Sequence, residues 1–534
     1  MSFMLNEAQQ LSLFDSLGFL SDRKQRMLEK SWAKAFSDHI FTNIDEMVFA
    51  PLYSAKTNSR PNAPINVIVG ALIIKELTRM TDDEIQEECE FDFRFQYALH
   101  TTSFKEQPIS DRTFSRFRER NAAYELTTGR DLIHECISGL SEHIRRFMDI
   151  DTAIKRMDSM MIESNIRKMG RLELLYTCLS NLVKEVVDDN PAAVTEGLKH
   201  YADPNDRNRV IYHDKETSQN ERIQTIIDDA VSFLPKCREG YQDTDDYLLL
   251  IRAIEEQTKD DGNSSRRIPK GNHDGMNSSV LQNPSDPDAT YRFKAGKKHR
   301  GYCANITEAV DEKGSVITDY QYDVNTRSDS SFIKEVLSKT EAGTETAAII
   351  TDGAYSSEEI QGLAGLKNIA VLPTGLSGRK PKKILSLFTL SDDGKSVTAC
   401  PDGNSPKSNS YIWQTGQIRV SFHREECKGC PHRSECNPVM KKRTAVMYVS
   451  PSSRQKVLDT SEANDNEIFH LIGRIRNGVE TIPSVIRNKY HVDRMPVRGK
   501  LRTKQFFGFK VAALNFSKML RFLKGKELCR AFQG

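Results

Sequence analysis

The sequence predicts an α/β protein: a mixed sheet with helices on its faces, preceded by an all-α N-terminal domain and carrying one long insertion and one Cys-rich insertion. Three observations predict it. Gly301–Val310 and Ser315–Val324 alternate as the two strands of a hairpin joined near Glu312-Lys313-Gly314. The apolar run Ala347-Ala348-Ile349-Ile350-Thr351 reads as a buried strand that delivers Asp352 to a sheet's C-terminal edge, where α/β sheets tend to do chemistry. Helical spacing over Asp329–Thr340 and a further strand at Ile369–Leu372 complete the order strands, helix, strand, helix, strand.

A chain of 534 residues exceeds one hydrophobic core and favours about three or four units. The first 145 residues read as helical. Pro64 opens a run with Val67, Ala71, Ile74 and Leu77 at helical spacing, Thr81-Asp82-Asp83-Glu84 has the form of a capping box, and Ser110 is placed to cap a third helix carrying Arg112, Arg116, Arg118 and Arg120. Two short helices followed by an arginine-rich one suit DNA contact; a generic helical bundle is the other reading. The pattern changes to strand at Ile154-Lys155-Arg156-Met157-Asp158-Ser159, which is expected to end, like the Asp352 run, on a carboxylate. The boundaries that follow are 1–145 for the helical domain, 150–169 with 286–375 for the sheet, and 170–285 for the long insertion. Residues 376–455 form the Cys-rich insertion and 456–534 the C-terminal helical part. Within the long insertion Leu172, Leu175, Leu179 and Leu182 keep helical spacing, while Thr258–Pro284 is polar and Gly/Ser/Asn-rich and reads as a mobile loop.

With 38% hydrophobic and 28% charged residues the composition is that of a soluble globular protein, and the longest apolar run, Val67–Ile74, is far short of the roughly 20 residues of a membrane span. No export signal is read at the N-terminus, so no membrane partner and a cytoplasmic location are expected. The net charge of +2 is neutral toward polyanions, but its distribution is not. Arg487–Lys526 holds twelve Lys/Arg against one acid, Asp493, which suits a basic surface facing phosphates. Phe506, Phe507, Phe509 and Phe516 interleave with those cations, so part of the segment must also pack a core.

Glu480 lies in a helical stretch crowded with arginine, and Arg476, Glu480 and Arg487 would share a helix face where the arginines could grip phosphates. An ordinary Arg–Glu surface pair is the bland reading. Gly478 and Pro483 disfavour an uninterrupted helix, which should begin near Glu480 or bend there, and Glu462 and Glu467 stand as fallbacks. Three carboxylates in such places, Asp158, Asp352 and Glu480, suggest a divalent-metal site acting on nucleic acid.

Ten cysteines divide into two kinds. Cys89, Cys136, Cys178, Cys237, Cys303 and Cys529 are scattered and read as reduced core thiols. Cys400, Cys427, Cys430 and Cys436 cluster, with one Cys-x-x-Cys pair, and can occupy the corners of a structural zinc tetrahedron, with His423 and His432 as substitute ligands; unligated thiols are the alternative.

Several motifs together resemble a bacterial insertion-sequence transposase of the DDE class. They are Asp158-Ser159 followed by Ile162-Glu163-Ser164-Asn165, Asp286-Pro287-Asp288-Ala289 leading into Lys297-Lys298-His299-Arg300-Gly301-Tyr302, and Thr351-Asp352-Gly353-Ala354-Tyr355. Arg474-Ile475-Arg476-Asn477-Gly478-Val479-Glu480 follows, then Arg498-Gly499 and Ala512-Ala513-Leu514-Asn515. Through Arg60-Pro61 and Arg112-Thr113-Phe114-Ser115-Arg116-Phe117-Arg118 the N-terminal third is similar to that group's InsH-like helical domain. The resemblance implies a ribonuclease H-like catalytic domain in which Asp158, Asp352 and Glu480 hold two Mg²⁺ ions, with Mn²⁺ as a substitute. It implies double-stranded DNA partners, namely terminal inverted repeats and target DNA, and a homodimer in the synaptic complex. Arg112, Arg116, Arg118, Lys297, Lys298, His299, Arg476, Arg487, Arg498, Lys500 and Arg502 are the candidate DNA contacts, and Asn325 and Asp329 fall where support for the carboxylates is expected. The alternatives are an inactive DNA-binding descendant and a related nuclease that cuts without joining.

Overall fold

The computed structural model describes residues 1–6, 16–55, 59–103, 107–214, 216–262, 266–271, 274, 277–294, 296–341, 347–355, 357–374, 382–413, 415–451, 453–455, 457–458 and 467–525. The helical region comprises α1 (Asp22–Glu29), α2 (Trp32–His39), α3 (Ile65–Thr78), α4 (Asp82–Phe91), α5 (Phe93–Ala98), α6 (Thr113–Thr128) and α7 (Leu132–Phe147). Strand β1 (Ile154–Glu163) follows, then α8 (Arg171–Asp189), α9 (Gln219–Tyr241), α10 (Asp245–Gln257) and the small ladder β2 (Thr258–Asp260) and β3 (Arg267–Pro269). Next come β4 (Thr290–Lys294), β5 (Lys297–Val310), β6 (Ser315–Val324), α11 (Asp329–Lys339), β7 (Ala347–Thr351), α12 (Glu358–Gly365) and β8 (Ile369–Pro373). The Cys-rich stretch holds β9 (Thr389–Leu390), β10 (Val397–Ala399), β11 (Ser408–Ile412), β12 (Gln417–His423), α13 (Arg424–Lys428), α14 (Arg433–Cys436), β13 (Val439–Met440) and β14 (Thr444–Val449). The chain continues through α15 (Glu467–Val479), α16 (Thr481–Tyr490) and α17 (Lys500–Leu523). This is the mixed α/β architecture with a helical N-terminal region that the sequence predicts.

Two compact units divide the described residues: Met1–Thr152 with Asp158–Phe332 and 480–525, and Ala153–Met157 with Ile333–Val479. In the first, β4, β5 and β6 form an antiparallel meander and β5 also neighbours β1. Helix α3 is apolar all round and buried from Ile65 to Glu76, the pattern of a core helix. Helix α17 is buried likewise, with Phe506, Phe507, Phe509, Phe516 and Met519 inside, and packs on α3, α6, α7 and β6. The long insertion has its own core, in which Leu175, Leu179, Leu182 and Val186 of α8 meet Ile227, Ala230 and Phe233 of α9 and Leu250 and Ala253 of α10. Gly301 shows why a bare Cα is needed where β5 meets β1: its φ is +142°, and a Cβ would stand 2.4 Å from the carbonyl oxygen of Ile162.

In the second unit, β1 pairs in parallel with β7 in the register Ile154↔Ala348, Lys155↔Ile349 and Arg156↔Ile350, and β7 pairs in parallel with β8. Met157, Ile349 and Val371 of these strands close a core with Ile333 and Leu337 of α11 and Ile360 and Ala364 of α12. The Cys-rich lobe is a four-stranded antiparallel sheet ordered β11-β12-β14-β13 beside the pair β9–β10.

Several expectations need correction. Strand β1 does not end at Asp158 but runs on to Glu163, because Met160, Met161 and Ile162 are buried and keep the chain extended. Ser110 is not the cap of α6: the helix begins at Thr113 after Arg112, and the Ser110 carbonyl accepts from the Thr113 amide. The described residues of 258–284 are held by the β2–β3 ladder and by buried Asn283, whose amide donates to the Arg167 carbonyl, rather than forming a free loop; 263–265, 272–273 and 275–276 lie outside the described residues. Lys297, Lys298 and His299 do not precede the hairpin but lie inside β5, paired with β4, a strand the sequence reading missed.

Candidate active site

Asp352 is exposed and directly follows β7, and its Oδ1 accepts from the Gly353 amide at 2.7 Å, a turn that aims the carboxylate off the strand end. Asp158 is half-buried inside β1, its Oδ1 accepting from the Ser159 amide at 2.9 Å. Beside it the Ser159 hydroxyl donates to Asp329 Oδ1 at 2.7 Å, and Lys294 Nζ stands 4.0 Å from the other oxygen of Asp329. Asp329 thus fixes the residue next to Asp158. Asn325 is fully buried but serves the β4–β5 edge, exchanging hydrogen bonds with Thr290.

Glu480 is exposed at the break between α15 and α16. A new helix does begin next to Glu480, one of the two outcomes expected from Gly478 and Pro483, and Arg476 and Arg487 belong to different helices. Arg487 is committed to structure, bonding Asp493 Oδ2 at 2.6 Å and the Met161 carbonyl at 2.7 Å. Glu462 lies outside the described residues.

Sequence reasoning missed Arg156. This residue of β1 is buried, and its Nη1 donates to the Ile475 carbonyl near the C-terminal end of α15 at 2.6 Å, the end of a helix that favours a cation. Gly478 makes room for it: a Cβ there would stand 2.0 Å from Arg156 Nη1. Helix α15 also packs against β7. The visible signal was an arginine between Lys155 and Met157 in a strand run, two residues before Asp158. The other residue missed is Glu163, whose Oε1 pairs with His299 Nδ1 at 2.7 Å, so His299 is held at the strand edge.

The basic segments are partly internal. Arg118 forms an ion pair with Asp82 and lies 5.0 Å from the Phe506 ring, whereas Arg112 and Arg116 are exposed. Lys500 reaches Asp323 at 3.2 Å, Lys504 bridges Glu125 and Asp131 at 2.7 and 2.8 Å, and Lys510 and Lys518 pair with buried Glu76 and Glu308. Burial pulls the Lys510 ammonium below the usual lysine range, outweighing Glu76, while for Lys504 burial acts the same way but the two carboxylates win and raise it. Arg498 is exposed with its Nε on the Asn165 carbonyl at 2.8 Å; Arg502, Lys297 and Lys298 are exposed. Lys510 and Lys518 are thus inside the core, whereas Arg487, Arg498, Arg502, Arg521 and Lys524 are exposed.

Cys89, Cys136, Cys178 and Cys303 are buried, and burial pushes each thiol up to about 12. Cys529 lies outside the described residues. Cys400, Cys427, Cys430 and Cys436 are half-buried and line one cavity of ≈ 20 Å³. Burial, then the neighbouring thiols, raises Cys427 and takes Cys436 to about 11. Among the described residues no three His, Cys, Asp or Glu side chains stand at the spacing of a ready-made metal site. In donor chemistry Asp158, Asp352 and Glu480 offer hard oxygens suited to Mg²⁺, and the four thiols offer the soft set suited to Zn²⁺.

Residues 399–520 match the family model described as "Transposase DDE domain", and residues 25–120 match the one described as "Transposase domain (DUF772)". Over these two regions the chain is similar to DDE transposases. The first match contains Glu480 and all four clustered cysteines; the second runs from within α1 through α5 into α6. No curated protein matches the chain. A cryo-EM structure of a piggyBac transposase synaptic complex with hairpin DNA is similar at 12% identity over 68% of this chain and 69% of that one, with a TM-score of 0.21, a likeness too slight to inform the fold. Among the described residues no helix is long and apolar enough to cross a membrane.

Proposed function

We propose that this protein cuts DNA at the terminal inverted repeats of an insertion sequence and joins the freed ends to target DNA, using Asp158, Asp352 and Glu480 on a ribonuclease H-like sheet. One observation carries the reading. Within the second unit Arg156 of β1 pairs in register with Ile350 of β7, two residues before Asp158 and Asp352 respectively, and α15, whose last residue Val479 directly precedes Glu480, packs against β7. The Arg156–Ile475 bond supports this further, because it ties the C-terminal end of α15 to the strand level just before those positions.

The three carboxylates would hold divalent cations, which supply charge neutralisation and Lewis acidity at a phosphodiester. The exposure of Asp352 and Glu480 gives a duplex access to them. Water attacking phosphorus displaces a 3′ oxygen and cuts the strand. The freed 3′ hydroxyl, attacking a phosphodiester of the target, displaces another 3′ oxygen and joins the strands, with no covalent protein intermediate. Exposed Arg112, Arg116, Arg498 and Arg502, with Lys297 and Lys298, are the DNA contacts this reading retains. A homodimer would bring two ends together.

The test is cleavage and joining on DNA carrying the inverted repeats that flank the reading frame, with Mg²⁺ or Mn²⁺. Asp158→Asn, Asp352→Asn and Glu480→Gln should each lower both reactions by roughly 10²–10³, the scale of losing one preorganised charge-stabilising group. DNA binding should survive them and weaken steeply with salt. Unchanged cleavage in the Asp352→Asn variant would sink the assignment, and cleavage without joining in wild type would mark a nuclease.

A further inference from the structure

We propose that Cys400, Cys427, Cys430 and Cys436 close on one Zn²⁺ ion that staples the Cys-rich lobe. Three separate pieces of chain deliver these residues. Cys400 follows β10 in a tight turn whose Gly403 has φ +81° and whose amide donates to the Cys400 carbonyl at 2.9 Å. Cys427 lies in α13 directly after β12, and Cys430 follows one turn later across Gly429. Cys436 ends α14, and Asn437 reverses the chain with φ +47°. The four thiols then surround one cavity of ≈ 20 Å³, about the space of a single small sphere, floored by Phe388 and Phe422. Convergence of four thiols on a common point suits a tetrahedral ion, whereas disulfides need only pairs.

Two further features agree. Four thiolates around Zn²⁺ carry a net charge of −2, and cations face it: Arg433 lines the same cavity, and Lys382 Nζ stands 3.3 Å from the carbonyls of Glu435 and Cys436. Among the described residues the lobe's apolar cluster holds eight buried side chains from Leu385 to Val449, a small core for a metal crosslink to reinforce. As placed the thiols are not at ligand spacing, so binding must draw in the short α13 and α14, of five and four residues. With four protein ligands the ion has no open position and is structural.

The experiment uses the full chain, purified under reducing conditions without chelator from cells grown with zinc. Elemental analysis should find one zinc per chain, and an organomercurial thiol reagent should release it as the four thiols react. The Cys427→Ser/Cys430→Ser variant should lose it, while Asp158→Asn and Asp352→Asn should keep it, which separates this site from the carboxylates. Should the cysteine variant prove insoluble, wild type refolded with Co²⁺ should show the thiolate-to-cobalt absorption of a tetrahedral sulfur site. Wild type without zinc, zinc retained by the soluble double variant, no cobalt–thiolate band, or alkylation showing disulfides would each overturn the proposal.

Discussion

The first unit and the Cys-rich lobe of the second bury polar chemistry in opposite ways. The first places whole charges inside: Lys510 faces Glu76, Lys518 faces Glu308, and Lys504 sits between Glu125 and Asp131, with helices and a sheet packed around them. The lobe has no buried ion pair of that kind among its described residues, only half-buried thiols beside a thin core. A large apolar core can carry the desolvation of paired charges because neighbouring side chains fix their geometry, while a small one gains more from a single multidentate crosslink. The comparison teaches that the lobe's order should depend on a ligand, and the first unit's order on complementarity between distant parts of its own sequence.

The sharpest way to break this comparison is to strip the lobe. A strong chelator, or Cys427→Ser/Cys430→Ser, should abolish hydrogen-exchange protection across β11, β12 and β14 while leaving α3 and α17 protected; structural zinc in small domains is worth on the order of 10 kcal/mol. Protection lost equally in both places would end the contrast. Next in size is the first unit's charge. Lys518→Met leaves Glu308, which is 0% exposed, without its cation and should cost ~3–5 kcal/mol in urea unfolding, whereas Lys518→Met with Glu308→Leu should recover most of that.

A smaller effect tests the link between β1 and α15. Gly478→Ala should push Arg156 aside at a cost of ~1–3 kcal/mol and lower strand cleavage, with stability read by thermal unfolding and cleavage by gel. The smallest concerns His134, whose ring nitrogen lies 2.7 Å from Asp319 Oδ1. Burial lowers its proton affinity, but the Asp319 carboxylate wins and raises it. The pair therefore contributes fully below the unfolded histidine value near ~6.5 and is lost as pH rises through the elevated folded value. With about a third of each side chain exposed (28% and 35%), the stability difference between wild type and Asp319→Asn should stay under ~1 kcal/mol and shrink toward alkaline pH.

Local patterns carried much of the fold. The Thr81 capping box, the β5–β6 hairpin and the β7 strand ending before Asp352 were legible because each is written in a few adjacent residues. Gly478 and Pro483 announced the break at Glu480 for the same reason. In the run Arg487–Lys526 counting charge along the segment could not reveal that Lys500, Lys510 and Lys518 face acids, because Asp323, Glu76 and Glu308 are supplied from far upstream. Arg156 was equally hidden, since its partner is a backbone carbonyl 319 positions away. The carboxylates Asp158 and Asp352 could be picked out singly, but only the parallel register of β1 and β7 relates them.

The Lys510–Glu76 contact spans 434 positions of sequence. On a ribosome advancing at roughly 5–20 residues per second, Glu76 waits on the order of 20–90 s for its counter-ion, and α3 must stay shielded meanwhile. A product cut short before α17 would be unable to complete its first unit, so the order of synthesis itself withholds that unit until α17 has been read.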